Sequence, residues 1–256
     1  MSKAVRLDKF LADAGKGTRS EVKKFIQKGL VQVNGRTVKK PEKKITEEDR
    51  VELLGNPVSM APEFVYYLLH KPAGYVSATE DRYDRTVMEL IPEARKGMFP
   101  VGRLDKDTEG LLLITDDGIF NQKLTHPSYH KEKTYEFTLL GDLTPELVHK
   151  LETGVILKGA DTLTAPAKIT VTGHAVMSDI LSTLPEEIQK DIHKNRPDHP
   201  VTYGIITISE GKKRQIRRMM KSVHCCVIEL KRISIGDIVL DKALCPGEWQ
   251  EIFPHT

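Results

Sequence analysis

An α+β fold in two parts is what this sequence predicts, and three observations predict it. The first is the distribution of charge. The chain has 256 residues with 39 Lys/Arg and 36 Asp/Glu, a net charge of +3. Residues 1–44 alone hold thirteen Lys/Arg against four acids, a local +9, so the remaining 212 residues sum to −6. The second is a change of periodicity. Apolar stripes at helical spacing come first; from residue 64 onward, short strand-like apolar runs recur with only scattered helical stripes. The third is the polar, Pro-bearing stretch 55–62 between the two regimes. A small α/β domain over 1–54, a linker over 55–62 and a larger domain over 63–256 follow. Many strands with few helices argue that the larger domain is built on a mainly antiparallel mixed sheet.

In the small domain, Leu7, Phe10 and Leu11 recur at helical spacing and Gly15 ends that helix. Ser20 is placed to cap a second helix, whose apolar stripe is Val22, Phe25 and Ile26. Residues 30–33 alternate as a strand, Asn34-Gly35 is a two-residue hairpin signal, and Val38 and residues 51–54 return as strands. Arg19, Lys23 and Lys24 fall off the apolar face of the second helix, free to meet phosphate. The +9 segment they belong to is the footprint of a polyanion-binding module.

The larger domain opens with the apolar run 64–69. Strand-like runs follow at 111–114, 135–140, 155–157, 167–172, 203–208, 226–230 and 237–240, with helical stripes at 86–91, 119–124, 144–152 and 215–223. Residues 174–200 break the pattern: an amphipathic stretch over 175–192, interrupted near Pro185, leads into a polar, Pro-rich loop.

Composition excludes several classes. Apolar content of 39% with 29% charged residues suits a globular protein. No apolar run approaches the roughly 20 residues that span a bilayer, and residues 1–8 lack the apolar core of a signal peptide. Cys225, Cys226 and Cys245 have neither disulfide-framework nor zinc spacing. A cytoplasmic protein without metal or membrane partner is expected, and nothing suggests more than a monomer.

The most informative stretch is 102–118, Gly-Arg-Leu-Asp-Lys-Asp-Thr-Glu-Gly-Leu-Leu-Leu-Ile-Thr-Asp-Asp-Gly. A charged loop runs into the four-residue apolar run 111–114, which reads as a strand buried on both faces. Such an anchored loop holds a carboxylate at the edge of a cleft. The acids at 105, 107, 109 and 116 also fall near the spacing of a calcium loop. Against that, Glu109 is too long for its position, Leu113 stands where a ligand is needed, and the flanks read as strand.

That stretch resembles the GRLD-x-D-T-x-GLL signature of the pseudouridine synthases, in the branch that modifies ribosomal RNA and carries an N-terminal S4 domain. Lys133-Thr134-Tyr135, residues 210–219 (Glu-Gly-Lys-Lys-Arg-Gln-Ile-Arg-Arg-Met) and residues 230–236 (Leu-Lys-Arg-Ile-Ser-Ile-Gly) resemble further family motifs in the same order. The helix, basic helix, strand, Asn-Gly, strand order of 1–54 resembles the S4 RNA-binding domain. The resemblance covers the chain except 174–200, which look like an insertion. It implies a sheet with a central cleft and a reaction that detaches uracil from its sugar and rejoins it through carbon, without cofactor.

By resemblance, Asp105 is the catalytic carboxylate, Arg217 the arginine that pairs with it, and Tyr135 the active-site tyrosine, with Ile216 and Leu230 lining the base pocket. A buried carboxylate tends to protonate; a cation beside it keeps it charged, and the planar fork of arginine suits that task. Residues 212–221 add Lys212, Lys213, Arg214, Arg218 and Lys221 opposite a buried stripe of Ile216, Met219, Met220 and Val223. Lys213, Arg214 and Arg218, with Arg103 across the cleft, are expected to grip RNA backbone. Residues 130–135 and 161–166 look most like members that act at uridine 516 of 16S ribosomal RNA, as free RNA or in an assembling small subunit. The alternatives are a large-subunit (23S) enzyme and a non-catalytic S4-type RNA-binding protein.

Overall fold

The computed structural model describes residues 4–46, 48–58, 64–184, 189 and 198–254. The chain divides into two compact units, residues 1–63 and 64–256.

The first unit contains strand β1 (Val5–Arg6), helices α1 (Leu7–Asp13) and α2 (Arg19–Gln27), and strands β2 (Val31–Val33), β3 (Arg36–Val38), β4 (Lys44–Ile45), β5 (Val51–Leu53) and β6 (Asn56–Val58). Strands β3-β2-β5-β6 form an antiparallel sheet in that order, and β1 pairs with β4. The helices bury Leu7, Leu11, Val22 and Ile26 against Val31, Val33, Val38, Ile45 and Val51. Asn34 and Gly35 both take positive φ, 54° and 74°, as a tight hairpin between β2 and β3 demands. Two expectations are corrected. The α2 cap is Thr18, not Ser20: Thr18 Oγ1 accepts the Glu21 N–H while Glu21 Oε2 accepts the Thr18 N–H at 2.7 Å, the reciprocal pattern of Thr-x-x-Glu. The expected linker also begins too early, because residues 56–58 form β6 and pair with β5.

The second unit contains β7 (Tyr66–Lys71), β8 (Phe99–Pro100), β9 (Glu109–Thr115), α3 (Gly118–Thr125), β10 (Lys133–Leu140), α4 (Pro145–Thr153), β11 (Ala167–Val176), α5 (Met177–Ile180), β12 (Pro200–Ile208), α6 (Gln215–Ser222), β13 (Cys226–Ile235), β14 (Ile238–Val239) and β15 (Trp249–Glu251). Nine strands form one sheet along β11-β12-β10-β13-β9-β7-β15, with β8 attached to β9 and β14 to β13. Every pairing is antiparallel except β9 with β13. The fold is thus α+β on a mainly antiparallel sheet.

Strand β9 is the spine. Leu112 and Ile114 face a cluster completed by Ile216, Met219 and Met220 of α6 and Leu151 of α4. Leu111 and Leu113 face a second cluster with Phe120 and Leu124 of α3. A strand buried on both faces explains its unbroken apolar run.

Other elements differ from expectation. Residues 155–157 form no strand; Ile156 makes one isolated bridge to Leu163. Residues 86–91 tighten into a 3-10 turn, Val87–Leu90. Within 174–200, β11 continues to Val176, so 175–176 are strand where helix was expected, before the short helix α5. Met177, Ile180 and Leu184 pack with Val201 as a small separate cluster. The expected break at Pro185 and residues 190–197 lie outside the described residues.

Candidate active site

Asp105 stands in the loop that feeds β9, half-buried, between buried Leu104 and exposed Lys106. The loop turns back at once, the Thr108 N–H donating to the Asp105 carbonyl at 3.0 Å. No hydrogen bond or ion pair engages the Asp105 carboxylate among the described residues, and it lines a cavity of about 1580 Å³. Leu104 anchors the loop in the apolar cluster on the α6 side of the sheet.

The loop's backbone is held by a buried cation. Lys71, at the end of β7, is fully buried, and its Nζ donates to the carbonyls of Pro72 (2.9 Å), Lys106 (3.3 Å) and Thr108 (2.8 Å). Burial lowers its pKa to about 8, against the opposing pull of Glu109, Asp107 and Asp105. Sequence reasoning missed Lys71. The available signal was a lysine closing a β-strand of apolar residues, where no solvent-facing position is expected.

Gly110 brings β9 close to β13. It sits at φ +101° opposite Arg232, and an added Cβ would fall 2.7 Å from the Arg232 backbone nitrogen and nearer still to its carbonyl. Arg232 is itself 2% exposed and donates from Nε to the Leu111 carbonyl at 2.8 Å. Its cross-strand neighbour on β10 is Tyr135.

Helix α6 supplies the opposite wall. Gln215 ties its start to the preceding turn, donating to Glu210 Oε1 at 2.6 Å and accepting the Lys212 N–H at 2.9 Å. Arg217 then reaches the Asp105 loop, but its partner is not the expected one. Nη2 lies 3.1 Å from Asp107 Oδ2 and donates to the Asp107 carbonyl at 3.1 Å, while Nη1 donates to the Val227 carbonyl at 3.1 Å. Arg214 adds a second contact to Asp107 at 3.3 Å. The turn at 105–108 aims residue 107, rather than 105, at α6.

The remaining expected residues are spread over several places. Lys213, Arg214, Arg217 and Leu230 line the same cavity as Asp105. Tyr135, Ile216 and Leu230 are 7%, 4% and 6% exposed and belong to the apolar cluster that contains Leu104. Tyr135 and Ile216 therefore sit behind the cavity surface rather than on it. Arg218 donates to the Lys158 carbonyl at 2.6 Å, and Arg103 is exposed. In the first unit, Arg19, Lys23 and Lys24 are all exposed on α2, away from buried Val22 and Ile26. The calcium-loop pattern dissolves: Asp107 serves the arginines, Asp116 accepts the Val65 N–H at 3.0 Å and pairs with Arg95, and residues 109–115 are strand.

The family model for RNA pseudouridylate synthases matches residues 65–222, which contain the Asp105 loop, β10 and α6, and the S4 domain model matches residues 5–51. An uncharacterized RNA pseudouridine synthase, YtzG of Bacillus subtilis (strain 168), is 39% identical over 251 residues, 97% of this chain and 95% of that protein. The ribosomal large subunit pseudouridine synthase B of the same strain is 37% identical, covering 98% and 93%. The ribosomal small subunit pseudouridine synthase A of Yersinia pestis is 36% identical, covering 97% and 94%. A crystal structure of a pseudouridylate synthase matches at 32% identity with a TM-score of 0.60, covering 97% of this chain and 96% of that one. The chain belongs to the RNA pseudouridylate synthase family, whose members are isomerases, and carries an S4 domain.

Proposed function

We propose that this chain isomerises one uridine of ribosomal RNA, uridine 516 of the 16S molecule, with Asp105 as the catalytic carboxylate. The observation that carries the reading is the contrast between Asp105 and its surroundings. Its carboxylate lines the cavity and has no hydrogen-bond or ion-pair partner among the described residues, while its loop is fastened by Lys71 and Arg217. A group kept free on a rigid support is arranged for chemistry rather than for stability.

Detaching uracil from ribose and rejoining it through carbon needs no energy source. It needs a positioned carboxylate to act on the nucleoside, a pocket for a base taken out of its stack, and cations for the backbone. Asp105 supplies the first. Leu230 at the cavity, with Tyr135 and Ile216 packed behind it, forms the apolar wall of the second. Lys213, Arg214, Arg218 and Arg103 supply the third, while Arg217 holds the loop through Asp107. The exposed Arg19, Lys23 and Lys24 of the S4 domain add a sequence-independent grip on phosphate.

Two segments support the 16S assignment, 130–135 and 161–166, by their likeness to members acting on the small-subunit RNA, and several relatives at 33–36% identity carry that name. The 37% identity to a large-subunit enzyme supports 23S RNA as the second reading. Pseudouridine mapping of unmodified 16S and 23S transcripts, free and in assembly intermediates, tests both. The expected result is one new pseudouridine, at 516 of the 16S RNA. A site in the 23S RNA overturns the assignment and keeps the enzyme.

A further inference from the structure

The loop that follows β7 is fastened to the Asp105 loop on both sides of Asp105. On one side, Ser77 is 4% exposed; its Oγ donates to the Leu104 carbonyl and accepts the Leu104 N–H, both at 3.0 Å. On the other side, the Gly74 N–H donates to the Lys106 carbonyl at 2.8 Å, and Asp84 pairs with Lys106 Nζ at 2.6 Å. Whatever the tip of this loop touches is therefore set at a fixed offset from the Asp105 carboxylate.

The tip is shaped by Asp81, whose Oδ1 accepts the N–H groups of Tyr83 and Asp84 at 2.9 Å each. Those bonds hold the Asp81 carboxyl below its ordinary range. The turn presents Tyr83 outward at 85% exposure, with the Arg82 guanidinium 5.4 Å from its ring centroid. A lone exposed aromatic is unremarkable. This one is fixed by a side-chain-capped turn, carries an arginine beside its ring, and sits on a loop clamped to Leu104 and Lys106.

We propose that Tyr83 stacks on the nucleobase beside the uridine that enters the cavity, keeping the RNA stack parted there, with Arg82 serving the neighbouring phosphate. The proposal deepens the reading above and rests on it. RNA is the occupant that fits: any base offers a face to an aromatic ring, and an arginine beside that ring meets the backbone charge. Stacking by a side chain offsets part of the cost of extruding a base, a cost smallest where the base is already unstacked.

The test uses the full-length protein with two 16S fragments centred on uridine 516, one with the target in a duplex stem and one in an unpaired strand. Loss of a base–aromatic stack corresponds to about tenfold to a hundredfold. Tyr83→Ala is expected to lose that much kcat/KM on the stem and under about threefold on the open strand, with Tyr83→Trp restoring the stem. Equal losses on both fragments, or no loss on the stem, overturn the proposal. A second arm places 2-aminopurine next to the target and measures fluorescence on binding to Asp105→Asn. A rise that disappears in Asp105→Asn/Tyr83→Ala supports stacking, and a rise that persists contradicts it. This arm needs binding without turnover, so it decides the stacking proposal separately from the reaction. Absence of modification by the wild-type protein counts against the proposed function instead.

Discussion

Arg217 and Asp107 are joined twice: one guanidinium nitrogen lies 3.1 Å from the Asp107 carboxylate and donates to the Asp107 carbonyl at the same distance. The arginine therefore meets the Asp105 loop at its backbone two residues away from Asp105. Asp107 is 49% exposed at its side chain, so solvent screens the ion pair and the carbonyl bond matters more. Arg217→Met is expected to lower kcat about a hundredfold, near 3 kcal/mol. Asp107→Asn, which keeps the carbonyl, is expected to cost under about tenfold. Steady-state kinetics of the two variants check the order; a larger loss for Asp107→Asn would contradict it.

Lys71 gives stability a pH dependence. Its pKa is about 8 in the folded chain, against 10.5 ordinarily. Below pH 8 both states are protonated and the full cost of burying the ammonium is present. Between the two values the unfolded chain holds more protons, so stability rises with pH. Relative to Lys71→Met, the wild-type protein is expected to gain about 2 kcal/mol between pH 7 and pH 10. Urea denaturation of both proteins across that range measures the difference. A flat difference would show that the ammonium is not buried as described.

Gly110 lets β9 approach β13, and no side chain fits there. Gly110→Ala combines a positive φ with a Cβ pressed into the Arg232 backbone. A loss of more than about 3 kcal/mol is expected, since strain and overpacking add at one position. Thermal or urea unfolding reads it directly, and a change under about 1 kcal/mol would refute the close approach.

The basic face of α2 predicts a salt effect. Replacing Arg19, Lys23 and Lys24 together with alanine is expected to reduce the slope of log K against log salt by about 2, at roughly 0.7 per phosphate contact on single-stranded RNA. The rate at saturating RNA should stay the same. Binding isotherms at several salt concentrations check the slope, and an unchanged slope would remove α2 from the RNA interface.

Much of this was legible in the sequence, for physical reasons. The apolar run 111–114 announces a strand buried on both faces because a strand with no wet side has no polar positions. Asn34-Gly35 announces its hairpin because both residues tolerate positive φ. What stayed hidden depends on contacts far apart in the chain. Lys71 is fixed by carbonyls 35 and 37 residues away, and Ser77 by Leu104, 27 residues on. No periodicity encodes such pairs. The partner of Arg217 was misplaced by two residues because the turn at 105–108 sets which carboxylate faces α6. Residues 155–157 look like a strand by composition and make only one bridge, because β-propensity reports fit to a pleated surface rather than pairing.

The most direct test of the central claim compares the wild-type protein with Asp105→Asn for pseudouridine formation and RNA affinity on the same ribosomal RNA. The substitution keeps shape and removes only the charge of a side chain that has no hydrogen-bond or ion-pair partner among the described residues, so folding and binding should survive. Asp105 as the catalytic carboxylate predicts that modification falls below detection while the dissociation constant changes less than about threefold. Residual modification at a comparable rate would contradict it and move the chemistry to another residue.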